Sequence, residues 1–516
     1  MEKRLLSAAT ALALTLIFGL PASAQSQTLV SDVENEGADC SVTIGGNGAI
    51  AANSNLPDPF TKMNGQRMTT KAEWVCRRQE IRKLLEKTVY GEMRVTPFSA
   101  ATGTVSKTSI SVTVSDNGKT ATFSVSVDLP TGNGPFPAMI IYGGFGGPSA
   151  STLKGQGVAV ITFDPAKGGE EGTSRSAKKG AYYTLYGGNS NLGILAAQAW
   201  AVSRIIDVIQ KSDGSILKWD AIGVTGCSRY GKGSFVAGVF DQRIALTMPI
   251  ESGTGGVPIM RGVSNENKQS LTSAYDEQPW LGDVFNTFKS SPNTMPADMH
   301  MAVAMVAPRG LLILDNPHIA NLGPRSAHLS AVAGAEVYKA LGYGGNITYF
   351  SNSADGGHCT FQPEFSAPLT ANINKFLKKQ GTVTGGDPTI NPRSGVTGNT
   401  AMITWTTPTL SDAPPTPPTG IAATAASVSG AKPVLSVRTV SGSAINVNFR
   451  AVRGGEAELR LYGLKGGLIA AARLQTETGG SYSHTFNVGK LPGGLYVAGL
   501  YSDGRLVEQA RVAARR

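Results

Sequence analysis

The stretch "AIGVTGCSRYGKGS", residues 221–234, decides how the chain is read. An apolar run ends at Gly226, a serine follows at 228, and small residues then open a helix. Strand, tight turn and helix in that order lift the Ser228 hydroxyl to the top of the turn, the arrangement of a nucleophile elbow. The usual elbow pattern is G-x-S-x-G. Here the second glycine, Gly231, stands one residue late, Cys227 precedes the serine and Arg229 follows it. Gly226, Gly231 and Gly233 let the helix pack close to the strand.

Outward from this stretch, "PAMIIYGG" (137–144), "GVAVITFDP" (157–165), "ALTMPIES" (245–252), "GLLILDN" (310–316) and "NITYFSNS" (346–353) are further continuous apolar runs. Runs without polar alternation suit strands covered on both faces. Between the second and "AIGVTGCS", the segment "NLGILAAQAWAVSRIIDVIQ" repeats Leu192, Leu195, Ala196, Ala199, Val202, Ile206 and Ile209 at helical spacing. That stripe predicts a helix facing the core. Strand and helix in alternation predict an α/β fold with a mostly parallel central sheet, a three-layer sandwich.

At 516 residues the chain is too long for one ordinary domain. Residues 1–24 combine Lys3 and Arg4, an apolar run from Leu12 to Leu20 and the small-residue site Ala22-Ser23-Ala24, the layout of a signal peptide cleaved after Ala24. The catalytic body is expected over 25–410, followed by a linker at 411–430 that begins "SDAPPTPPTG". Residues 431–516 hold short alternating segments split by glycines, which predicts a small all-β unit resembling a sandwich. Its "LPGGLYVAGL" (491–500) and basic end resemble the C-terminal sorting domains of bacterial secretion systems; a carbohydrate-binding or spacer module is the other reading. A secreted or cell-surface bacterial protein is therefore expected. The last 86 residues hold 12 Lys/Arg against 5 Asp/Glu, +7 of the chain's +10, so most of the basic excess lies outside the body. No basic stripe is interleaved with aromatics, which argues against nucleic acid as a partner.

Five histidines are available, and His358 in "DGGHC" follows the last predicted strand of the body. That is where an α/β-hydrolase places its histidine, in the order serine, acid, histidine. Two acids compete: Glu251, ending "ALTMPIES", and Asp315, ending "GLLILDN"; the usual hydrolase position favours Asp315. Four cysteines in an exported chain suggest two disulfides. Cys227 precedes the serine and Cys359 follows the histidine, so contact between Ser228 and His358 would bring them together and leave Cys40–Cys76 as the second pair. The spacings lack a C-x-x-C or a histidine pair, which argues against zinc.

"GCSRYGKG" (226–233), "ESGTGG" (251–256) and "DGGHC" (355–359) together resemble the glucuronoyl esterases, carbohydrate esterase family fifteen. The resemblance spans nearly the whole body, including "LPDPF" (56–60), "WVCRRQEI" (74–81), "YGE" (90–92), "PADMHMAVAMVAPRGLLILDN" (296–316), "NLGPRS" (321–326) and "TWTTPTL" (404–410). It implies an α/β-hydrolase cleaving esters between 4-O-methyl-glucuronic acid of xylan and lignin alcohols, without metal or organic cofactor; separately, a monomer is expected. It implies Ser228 as nucleophile, His358 as base and Glu251 rather than Asp315 as the acid, with Asp315 kept as a second, supporting acid. It also implies Arg229 as a charge beside the oxyanion, and Lys232, Gln269 and Glu277 as sugar-binding groups. Cys40–Cys76 and Cys227–Cys359 match disulfides of fungal members. Asn321 stands where fungal members carry tryptophan. A serine esterase acting on acetylated xylan, and a catalytically dead binding protein, are the competing readings.

Overall fold

The continuous apolar runs become strands buried on both faces. In a computed structural model, the described residues are 40, 42–144, 146–261, 266, 269–354, 356–412, 435–441, 444–451, 455–463, 468–477, 480–487, 494–502 and 505–514. The expected leader at 1–24 and nearly all of the expected linker lie outside them. They divide into two compact units, one ending at Thr416 and the other beginning at Pro417.

The first unit is built on a ten-stranded sheet. Its strands are β1 (Ala101–Val105), β2 (Ser109–Asp116), β3 (Lys119–Asp128), β4 (Phe136–Tyr142) and β5 (Ala159–Phe163). The chain then adds β6 (Leu217–Cys227), β7 (Leu246–Ile250), β8 (Gly310–Leu314), β9 (Ile347–Phe350) and β10 (Thr389–Asn391). Their spatial order is β1-β2-β3-β5-β4-β6-β7-β8-β9-β10. From β5 onward in that order every pair is parallel, whereas β1, β2, β3 and β5 pair antiparallel. Burial follows the same division. β7 and β8 are buried at every residue, while β2 and β3 alternate buried and exposed. Parallel strands need crossover helices on both faces, and an antiparallel extension can leave one face to water.

Two apolar clusters fill the spaces either side of the sheet. On one face, Trp200, Val202 and Ile206 of the helix Ile194–Lys211 pack with Phe235 of the helix Arg229–Phe240, Val303 and Tyr338. On the other, Leu153, Phe365, Leu369 and Phe376 cover Met139, Ile141, Val160, Met248 and Leu312. These are the three layers that the strand–helix alternation predicts. The helix Ile194–Lys211 is buried from Ile194 through Ile209, all round rather than along one stripe. Its Arg204 and Asp207 are therefore carried into the interior, where they are paired. The body also runs past Leu410: Ser411 donates its N–H to the Thr69 carbonyl and accepts from Lys71 N–H, so the linker starts later than 411. No helix among the described residues is long and apolar enough to cross a membrane.

The second unit contains β11 (Ser436–Ser441), β12 (Ala444–Arg450), β13 (Gly455–Gly463), β14 (Leu468–Thr476), β15 (Ser481–Asn487), β16 (Gly494–Ser502) and β17 (Arg505–Ala514). They form antiparallel sheets in the orders β11-β12-β15 and β14-β13-β16-β17. Ile445, Val447, Phe449, Leu459, Leu461, Phe486 and Leu500 share one apolar core.

Strand register positions the site. Cys227 pairs with Ile250, Ile250 with Leu314, and Leu314 with Phe350. The carboxyl ends of β6, β7 and β8 are thus level, and the next residues, Ser228, Glu251 and Asp315, form one row along the sheet edge. Open α/β sheets bind ligands at this edge.

Candidate active site

Ser228 occupies φ 61°, ψ −125°, between β6 and the helix Arg229–Phe240. Such backbone strain costs about 1–3 kcal/mol in a residue with a side chain. Surrounding contacts hold it there: Ser228 N–H donates to Ile250 O at 3.0 Å, and its carbonyl accepts from Lys232 N–H at 3.0 Å. The turn also requires the two glycines. A Cβ on Gly226 would lie 2.6 Å from Tyr230 O, and one on Gly231 would lie 2.4 Å from Ile250 O. The late position of Gly231 follows from this. It is the residue of the first helical turn that crosses the end of β7, so the glycine belongs there.

Glu251 directly follows β7 and is also held at positive φ, 47°. The residue is 1 % exposed. Oε2 lies 2.5 Å from His358 Nδ1 and accepts from Cys359 N–H at 3.0 Å. Asn316 reaches Glu251 Oε1 at 3.5 Å and the Gly357 carbonyl at 3.4 Å, so one amide ties the acid to the loop carrying the imidazole. Asp315 does not meet the imidazole, which corrects the expectation from the later strand. Its Oδ1 accepts from Asn316 N–H at 3.0 Å and its Oδ2 accepts from Tyr349 OH at 3.5 Å. Burial, then the neighbouring Glu251 charge, pushes its carboxyl up to about 8. Asp315 therefore holds its proton more tightly than an ordinary carboxyl, which disfavours it as a partner for imidazolium.

Both disulfides form in the pairing expected, Cys40–Cys76 and Cys227–Cys359. The second brings the Cα atoms of the residue before Ser228 and the residue after His358 to 5.7 Å. It closes a separation of 132 residues, worth about 5 kcal/mol in the chain-entropy account. Cys227, Glu251, His358 and Cys359 offer ligand-type atoms within 4.8 Å of one another. Two of those atoms are disulfide sulfurs without thiolate character, so the cluster offers a metal only the carboxylate and the imidazole.

Beside the elbow, the sugar-binding candidates gather around one indole. Arg229 lies with its guanidinium 5.5 Å from the Trp280 ring centroid, and Lys232 Nζ lies 5.2 Å from it. Arg229 Nη1 pairs with Glu171 Oε2 at 3.0 Å and Nη2 faces Glu277 Oε1 at 3.6 Å. Trp280 Nε1 donates to Glu171 Oε1 at 2.6 Å, and Gln269 Nε2 donates to Glu277 Oε2 at 2.7 Å. Lys232 is buried and donates to the Ser252 carbonyl at 2.7 Å. Burial lowers its ammonium to about 8, against the Glu277 charge and with the help of Arg229. Asn321 joins through its backbone, its carbonyl accepting from Gln269 N–H at 2.9 Å, and its residue is exposed. Glu171 and Trp280 were not legible as site residues. Trp280 closes "EQPW", three residues after Glu277, and an aromatic beside a candidate sugar-binding acid is a usable signal; Glu171 sits in a polar loop without periodicity.

A level row of strand ends, a strained serine before a helix and a buried carboxylate on an imidazole define an α/β-hydrolase. A family profile described as "Glucuronyl esterase, fungi" matches residues 112–342. A 4-O-methyl-glucuronoyl methylesterase from Neurospora crassa is 38% identical over 379 residues, 72% of this chain and 93% of that one. A glucuronoyl esterase mutant from Sporotrichum thermophile, solved in complex with methyl 4-O-methyl-β-D-glucopyranuronate, superimposes with a TM-score of 0.65 at 36% identity, over 72% of this chain and 100% of that one. A carbohydrate esterase family fifteen glucuronoyl esterase from Caldicellulosiruptor kristjansonii gives 0.58 at 28% identity, over 64% and 93%. The chain belongs to the glucuronoyl esterase family and is a carboxylic ester hydrolase. Its curated relatives at this similarity include those of Neurospora crassa, Hypocrea jecorina and Schizophyllum commune, all fungi, which gives no support to the bacterial origin expected from leader and tail.

Proposed function

We propose that this chain hydrolyses the ester between (4-O-methyl-)glucuronic acid of glucuronoxylan and a lignin alcohol, through a glucuronoyl-serine intermediate. The pairing of His358 Nδ1 with the buried Glu251 Oε2, in register with the strained Ser228, carries this reading. Glu251 fixes the tautomer that leaves His358 Nε2 as the base. Nε2 takes the Ser228 proton as Oγ attacks the ester carbonyl. The first helical N–H groups, which have no intrahelical acceptor, and the Arg229 guanidinium face the developing oxyanion. The imidazolium returns its proton to the departing alcohol. Water, activated by the same imidazole, then releases glucuronate and restores Ser228. Lys232, Gln269 and Glu277 supply donors and acceptors for the sugar hydroxyls, each of which would otherwise lose a hydrogen bond to water. With Asn321 in place of an indole, that edge of the site binds the sugar by hydrogen bonding rather than by stacking.

Two disulfides fit an oxidising compartment, and the N-terminal pattern supports export. The β-unit after residue 434 acts in sorting or anchoring. Removing everything beyond Asp412 therefore leaves kcat unchanged. The decisive assay compares benzyl glucuronate with acetylated xylan. Turnover of the glucuronate ester that Ser228→Ala abolishes is expected. Turnover of acetyl esters alone would replace this reading with that of an acetyl xylan esterase.

A further inference from the structure

We propose that Glu171 is a specificity-determining residue that lets the cleft keep the neutral ester and reject its acid product; this role rests on the glucuronate-ester reading above. Hydrolysis turns an uncharged ester into a carboxylate at the same carbon. An arginine placed to meet the oxyanion is also a strong trap for that product, because a guanidinium takes a carboxylate through two parallel N–H···O bonds. Around Trp280 the structure balances two cations, Arg229 and Lys232, with two carboxylates, Glu171 and Glu277. Glu171 already holds Nη1 of Arg229 at 3.0 Å, and Glu277 stands 3.6 Å from Nη2. An oxyanion needs only one remaining N–H. A product carboxylate needs a pair of them and meets two negative charges on approach.

Glu171 is fitted for this by its other bond. The Trp280 indole N–H, 2.6 Å from Oε1, locks the carboxylate, so Oε2 stays on the arginine. The residue reaches the cleft from the segment between β5 and the helix Ile194–Lys211, a different part of the chain from the elbow and from the Gln269–Glu277 pair. Both partners are part-exposed, with 42% and 28% of their side-chain surfaces accessible, so water screens the pair and the effect is a modest one.

The test uses the full chain and three ligands. With benzyl glucuronate as substrate, glucuronate and glucose are measured as competitive inhibitors of the wild type, Glu171→Gln and Glu171→Asp. Glu171→Gln keeps an acceptor for the Trp280 N–H but loses the charge. It is expected to lower the glucuronate Ki about three- to five-fold, with KM for the ester and Ki for glucose changed less than about two-fold. Glu171→Asp keeps the charge and holds the glucuronate Ki near wild type. Parallel shifts in all three constants, or no shift in the glucuronate Ki, would overturn the role. Glucuronate and glucose binding to Ser228→Ala and to Ser228→Ala/Glu171→Gln, followed by calorimetry, reads the same selectivity without turnover. Absence of turnover in the wild type counts against the esterase reading, whereas equal glucuronate affinity of these two variants counts against Glu171.

Discussion

The helix Arg229–Phe240 has an arginine–carboxylate cluster at each end, and the two are built from the same groups to opposite effect. At its far end, Arg243 joins Asp207 at 2.6 Å and Asp241 at 2.7 Å, and Arg204 reaches Asp207 at 2.9 Å. Every one of these side chains is within 1% of complete burial. Arg309 adds bonds to the Gly238 carbonyl in the last turn of the helix and to the Asp241 and Ile244 carbonyls just beyond it. At the near end, Arg229 meets Glu171 and Glu277 with 42% of its side chain exposed. Burial makes the first cluster indispensable to the fold, because removing any partner strands a charge in the interior. Exposure leaves the second free to exchange one partner for a substrate at little cost. One end of the helix is tied into the interior, and the other is proposed to meet the substrate.

Substitutions can break this division or sharpen it. The largest effect is expected at the near end, from the acid. Glu251→Ala should reduce kcat about 10⁴-fold through loss of imidazole orientation, while Asp315→Ala should stay within about ten-fold. The reverse order in steady-state kinetics would return the acid role to the later strand. Next comes the far end. Arg243→Ala should destabilise the body by about 3–5 kcal/mol in denaturant unfolding, with kcat per folded molecule near wild type. A stable but slow variant would erase the distinction between the two clusters. Arg229→Ala should do the opposite, lowering kcat about 10²–10³-fold with little change in unfolding.

The smallest effect concerns pH. Lys232, facing Arg229, Glu277 and Glu171, loses its proton as pH rises through about 8, so kcat/KM should fall on an alkaline limb near that value, and the limb should vanish in Lys232→Met. The sign for stability is the reverse. The buried ammonium carries its full desolvation penalty below pH 8, and that penalty is relieved between about 8 and the ordinary lysine value of 10.5.

What could be read in advance followed burial. The six runs named from sequence are the strands β4 to β9, found within a few residues, because coverage on both faces leaves no room for polar alternation. The antiparallel β1 to β3 went unread. Their apolar residues, such as Ile110, Val112 and Val114, alternate with serine and threonine on a solvated face and do not stand out. In the second unit the short alternating segments become antiparallel strands, the pattern that a small all-β unit requires. Ser228 and His358 were legible from their turns, whereas the choice between Glu251 and Asp315 depended on resemblance. The side-chain paths differ and favour Glu251: it turns at positive φ toward His358, while Asp315 turns toward Tyr349. Glu171 could not be read at all, since it meets Arg229 across 58 residues and Trp280 across 109.

The disulfide pattern bears on how the chain is made. The four cysteines join consecutively, first with second and third with fourth. A polypeptide that emerges from its amino end into an oxidising compartment presents Cys40 and Cys76 long before Cys227, and Cys359 last. Were the cysteines oxidised in order of arrival, the native pairs would form with no disulfide broken and remade. The same order delays the esterase itself. The elbow is synthesised more than a hundred residues ahead of the loop carrying His358, and the bond that locks them together can close only when the body is nearly complete.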